Sequence, residues 1–192
     1  MKSDSRSNEI RQCISKLHIA ACAIGIAGFA VLTGCASVDV SSPTAVSSGV
    51  VAKRDDFKKL IEYRAPFMQL GFGDGSVYLR GFESTNKDVH KLVAPVTQLT
   101  VTMYPRSWMF LDSAYDADGR RLEVKVLNRS VDSCSKYTCL YNEAVAITLP
   151  TGYLSAHQNG LRIQVSGKGG NYEVAVPGAY VQGFLTAMPS AK

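Results

Sequence analysis

The chain predicts a mainly β fold, an antiparallel β-sandwich of about eight strands with a short C-terminal helix. Three observations predict it. Short runs alternate apolar and polar residues, as in Leu122, Val124 and Val126 against Glu123 and Lys125, which is the period of a strand with one buried face. Turn chemistry punctuates those runs, as in Asp116-Ala117-Asp118-Gly119, and Asp-Gly between two alternating runs is a strong hairpin signal. Near the end the period changes. Tyr180, Val181, Phe184, Leu185 and Met188 recur at i, i+1, i+4, i+5 and i+8, a helical stripe.

The elements follow in order. From Asp55 to Tyr63 a helical turn fits, with Asp55 as cap and Phe57, Leu60 and Ile61 on one face. A strand from Ile61 to Leu70 fits its second half equally well. On the helical reading Pro66 stops the helix. Ser76–Phe82, Val96–Tyr104 and the aromatic-rich Trp108–Tyr115 read as strands, as does the long run Cys139–Leu149. Leu161, Ile163 and Val165, then Tyr172, Val174 and Val176, flank a Gly167–Asn171 loop and read as one more hairpin. Pro177 and Gly178 suit the start of the terminal helix, and Gly183 weakens it by about 1 kcal/mol. Strands with one apolar face need a partner surface, and two sheets packed face to face supply it. A barrel fits the same alternation. No repeat of solenoid length recurs.

The first 34 residues are of another kind. Lys2, Arg6, Arg11 and Lys16 form a basic opening, and Leu17 to Leu32 is a nearly all-apolar run with His18 at its edge and no charge interrupting it. Sixteen residues at about 1.5 Å each span roughly 24 Å, short of the ~30 Å hydrocarbon core, so a signal peptide is favoured over a transmembrane helix. The run ends in Leu32-Thr33-Gly34-Cys35, which resembles the lipobox of bacterial lipoproteins. That resemblance implies diacylglycerol on the Cys35 thiol, cleavage just before it, and acylation of the new amine. It implies a membrane partner through lipid on Cys35, with other envelope proteins within reach. Ala36 stands where inner-membrane retention in the enterobacterial pattern uses Asp, so an outer-membrane, periplasm-facing position is expected. Residues 36–52 are small and polar with one charge, Asp39, and read as a flexible linker reaching about 20–25 Å r.m.s.. The expected organisation is a cleaved leader at 1–34, the lipidated Cys35 and linker at 35–52, and a sandwich-like domain at 53–192.

The chain has 21 Lys+Arg and 16 Asp+Glu. Removing the leader's four basic and two acidic residues leaves 17 and 14, a net +3 spread along the sequence. No basic cluster suggests nucleic acid. Cys134 and Cys139 are the cysteines left once the leader departs and Cys35 is acylated. In an oxidising compartment a disulfide across the Ser135-Lys136-Tyr137-Thr138 loop is expected. A C-x4-C pair offers too few ligands for zinc and is not a thioredoxin-like C-x-x-C.

No motif calls for a cofactor. Gly71-x-Gly73-x-Gly75 is not a dinucleotide fingerprint, and Gly167-Lys168-Gly169-Gly170 lacks the Ser or Thr of a phosphate loop. Aligned as a calcium loop, Asp116-x-Asp118-Gly119 puts Ala114 and Lys125 at the end positions, where oxygen ligands are needed. No G-x-S-x-G elbow exists. Three side chains stand out. Glu143 shares a strand face with Val145 and Ile147, and a carboxylate turned inward needs a partner, with Arg106, Arg129 and Arg162 as candidates. Trp108, with Tyr104 and Tyr115, fits a ligand groove or aromatic core. His157 and His90 are the histidines past the leader. A binding or scaffolding domain is therefore expected. The rivals are a periplasmic hydrolase built from Glu143, His90 and His157, and a carrier of a small apolar ligand.

Overall fold

The computed structural model describes residues 38–71, 74–86, 95–188 and 190. The leader, Cys35 and His90 lie outside the described residues. The elements in chain order are α1 (Pro43–Gly49), β1 (Val51–Asp55), β2 (Leu60–Arg64), β3 (Met68–Leu70), β4 (Gly75–Ser84), β5 (Val96–Met103), β6 (Leu111–Asp116), β7 (Arg121–Cys134), β8 (Cys139–Leu149), α2 (Tyr153–Ala156), β9 (Gly160–Gly167), β10 (Gly170–Pro177) and α3 (Gly178–Ala187).

The protein is mainly β with a short C-terminal helix, as the alternation and the terminal stripe predict. Among the described residues the strands pair antiparallel in the order β1-β2-β4-β5-β8-β7-β6-β9-β10, with β3 also on β4. The pairing is continuous where two separate sheets were expected. The β6–β7 junction is short, with Ala114 opposite Leu122 and Tyr115 opposite Arg121. Both sides of that junction feed one core. Leu79, Leu99 and Ile147 from one side and Ile163, Val165 and Val174 from the other are fully buried. Each such side chain contributes about 1.5–3 kcal/mol of apolar burial.

Helix α3 binds the two sides together. It packs against β9 and β10. Its Tyr180 hydroxyl donates to the Pro66 carbonyl and accepts the Leu79 N–H of β4 at 3.4 Å. Burial pushes that hydroxyl's pKa well above the ordinary tyrosine range.

Two local expectations change. The stretch 36–52, read as linker, contains α1. Ser42 caps it, its Oγ accepting the Ala45 N–H at 3.3 Å, and Pro43 occupies the first turn. Val46 is fully buried. It lies against Gly183 of α3, where a Cβ would come within 2.6 Å of the Val46 Cβ. Gly183 thus offsets its poor helix propensity by letting two helices touch. The other change is at Asp55. Its carboxylate caps local N–H groups, accepting from Phe57 at 3.0 Å and Lys58 at 2.9 Å. The turn it caps joins β1 to β2 and no helix follows, because Phe57 is fully exposed and gives a helix no buried face.

Candidate functional site: a projecting β-arm and its buried anchor

β7 has 14 residues, β8 has 11 and β6 has six. The mismatch creates the molecule's most distinctive surface. Beyond Leu122, β7 pairs with β8 alone among the described residues. Residues 125–134 are all exposed. Residues 125–128 form an open edge beside the buried Ala144, Val145 and Ala146, and beyond Arg129 and Glu143 the hairpin has also run past β5 and projects as an arm. Val126, Leu127, Val131, Tyr137 and Leu140 are exposed apolar side chains along it. Register shifts at Val126/Asn128 and at Val131/Ser133 mark two bulges, which raise local twist.

The tip is closed. Cys134 and Cys139 oppose each other in the ladder and are joined by a disulfide. Ser135 organises the loop, its Oγ accepting the N–H groups of Tyr137 and Thr138 at 3.2 Å each. On the chain-entropy account a loop this short gains roughly 2 kcal/mol from the bridge.

At its root the arm is fixed by Glu143. This carboxylate is 1% exposed. Oε1 accepts the N–H of Met109 at 2.6 Å and of Phe110 at 3.1 Å, and Oε2 accepts that of Leu111 at 2.9 Å. Of the three arginines, Arg129 supplies the countercharge, its Nε 3.5 Å from Oε2. Its Nη2 also donates to the Leu111 carbonyl at 2.7 Å. Arg162 instead pairs with Glu173 at 2.8 and 3.0 Å, and Arg106 lies exposed. The 108–110 segment is irregular because it wraps this anion. Phe110 adopts a φ of 54°, a conformation unusual for a residue with a Cβ. Gly167 allows the close pass, since a Cβ there would strike the Met109 and Phe110 carbonyl oxygens.

The wrap carries an aromatic ledge. Trp108 packs on Tyr141 at 4.4 Å between ring centroids and on Phe110 at 5.8 Å. The Arg129 guanidinium lies over the Phe110 ring at 5.5 Å. Trp108 and Tyr141 are half-buried, and Phe110 is exposed. Tyr115, expected near Trp108, sits instead at the far end of β6.

His157 belongs to a second cluster. Its ring stacks on Tyr153 at 4.0 Å, and its Nδ1 is 2.8 Å from the Tyr153 carbonyl oxygen. The Tyr153 hydroxyl faces Asp116 Oδ2 at 3.5 Å. Burial, then the Asp116 charge, pushes that hydroxyl's pKa up to about 12. Asp116 itself organises the β6–β7 turn, its Oδ1 accepting the N–H groups of Asp118 at 3.1 Å and Arg120 at 2.8 Å. Leu111 touches Glu143 and Asp116 touches Tyr153, and five strand residues at about 3.3 Å put the clusters roughly 17 Å apart. Glu143 and His157 thus do not share a site. The carboxylate oxygens are already engaged by backbone N–H groups, which suits holding a loop rather than moving protons.

Sequence reasoning missed Asp116 and Tyr153 as a pair, because β6–β7 turn chemistry alone accounts for Asp116. Two surface clefts flank β6 and the start of β7. One, of about 210 Å³, is lined by Asp116, Arg162 and Glu173 among others. The other, of about 400 Å³, is lined by Asp112, Arg121 and Glu123 among others. Both have charged walls, unlike the apolar chamber a lipid carrier uses. No group of three or more His, Cys, Asp or Glu able to hold a metal occurs among the described residues. No protein-family model, curated protein or solved structure matches the chain.

Proposed function

We propose that this chain is a lipid-anchored bacterial cell-envelope protein whose mainly β domain binds or scaffolds another envelope protein through the β7–β8 arm. The leader's resemblance to a lipobox supports the address, with Cys35 as the lipid carrier and the periplasmic side of the outer membrane as the place.

The arm is the observation that carries the binding half. Its exposed Val126, Leu127, Val131, Tyr137 and Leu140 contribute little to the domain core. A disulfide holds its tip, so less ordering entropy is lost on docking. Beyond Leu122 its outer edge carries no further strand among the described residues, which suits an added strand from a partner. The Trp108, Phe110 and Tyr141 ledge at its root has the residue types that dominate interface energetics. The bulges and Lys125 blunt the edge against indiscriminate pairing.

Two substitutions test this. The double variant Val131→Asp with Leu140→Lys should keep its fold and its membrane retention while losing the proteins that co-isolate with the natural chain. An unchanged set of co-isolating proteins would remove the arm from the account. Cys35→Ser should release the protein to the soluble fraction, and continued membrane retention would count against the anchor.

A further inference from the structure

The ordered domain begins much nearer Cys35 than a 17-residue linker would place it. Val38 is already part of the domain's compact unit. A Cβ at Gly49 would lie 2.7 Å from the Pro66 side chain and 3.4 Å from that of Val38, so Val38 is packed at the foot of α1 and β3. Three peptide units separate Cys35 from Val38, a reach of at most about 11 Å. A headgroup layer is about 5–7 Å thick per leaflet. Acyl chains seated in hydrocarbon would therefore hold Val38 within a few ångströms of the headgroups.

The surface at that corner has matching chemistry. Val38 is 37% exposed, Val51 55% and Phe67 54%. Val51 stands opposite Arg64 in the β1–β2 ladder, and the Arg64 guanidinium lies 5.9 Å from the Phe67 ring centroid. Phe67 is held outward by an edge contact with Tyr78 at 4.7 Å. An aromatic ring and two valines beside a guanidinium suit the boundary between acyl chains and phosphates.

We propose that the corner formed by Val38, Val51, Arg64 and Phe67 rests on the lipid bilayer that carries the Cys35 anchor, with the apolar side chains at the headgroup boundary and Arg64 on lipid phosphate. The inference depends on the anchored reading above. It replaces a domain swinging on a long tether with one seated on the membrane in a fixed orientation.

The full lipoprotein reconstituted into phosphatidylethanolamine and phosphatidylglycerol vesicles provides the test. The natural chain has one tryptophan, Trp108, which serves as the reference reporter. Phe67→Trp in a Trp108→Phe background reports on the corner, and Val51→Trp with Trp108 retained gives a second reporter by difference. Lipids brominated near the headgroup should lower emission from positions 67 and 51 about twofold while leaving Trp108 nearly unchanged. Mass spectrometry of the same samples reads the lipid on Cys35 independently. Lipidated protein with both corner reporters unquenched, or with Trp108 quenched as strongly, overturns the seating and leaves the anchor standing. Protein without lipid on Cys35 overturns both.

Discussion

The two ends of the β7–β8 hairpin are made of similar residues and do opposite things. At the inner end Val145 and Ile147 of β8 are buried, and Leu122 of β7 lies over the same core. At the outer end, beyond Arg129 and its partner Glu143, Val131 and Leu140 carry comparable apolar surface into solvent. What separates the ends is their neighbours. The inner end has β5 beside β8 as far as Glu143 and β6 beside β7 as far as Leu122, whereas the outer end has neither among the described residues. Between them sits Glu143, opposite Arg129 in β7 and Met103 at the last β5–β8 pair, and it fixes the crossing 108–110 segment there. Apolar area is thus buried in the fold at one end and left exposed at the other.

The comparison can be broken most forcefully at Glu143. Glu143→Ala leaves three N–H groups and the Arg129 charge without their acceptor, and should cost about 3–5 kcal/mol in urea unfolding. Glu143→Gln, which retains one acceptor oxygen, should cost less. Next is Ile147→Ala at the inner end, expected to cost about 2–4 kcal/mol. If Leu140→Ala cost as much, the two ends would not differ. Removing the disulfide with Cys134→Ser and Cys139→Ser should cost about 2 kcal/mol, with faster hydrogen exchange confined to the arm. A pH titration sharpens the other end of β6. The Tyr153 pKa is raised on folding, so its contribution is intact below about pH 10 and lost as pH rises toward about 12. Tyr153→Phe should flatten that alkaline loss. Leu140→Ala itself is the smallest effect, within about 0.5 kcal/mol.

Much of the sheet was legible because a strand with one buried face leaves a period of two. Cys139–Leu149 has the bounds of β8, and Val96–Tyr104 ends one residue past β5. The terminal stripe from Tyr180 to Met188 gave α3 for the same reason. Where the burial pattern was not periodic, reading failed. Helix α1 buries Val46 and little else, so its small polar residues resemble a linker, although Ser42-Pro43 was a capping signal in plain view. Phe57, Leu60 and Ile61 have helical spacing by coincidence, since Phe57 faces water. The arm was the least legible element of the site. Alternation shows that a strand has an apolar face, and whether anything covers it depends on the length of β6, a distant property of the fold. Glu143 could be picked out as a buried carboxylate in need of a partner. Its three N–H donors come from an irregular segment that no pattern announces.

The most direct measurement is photocrosslinking in living cells. A photoreactive phenylalanine analogue at Val131 or Leu140 should give a discrete adduct with another envelope protein, and the same analogue at Glu173 on β10 should give none. Adducts absent from both arm positions, or equally abundant from Glu173, would contradict the arm as the binding element.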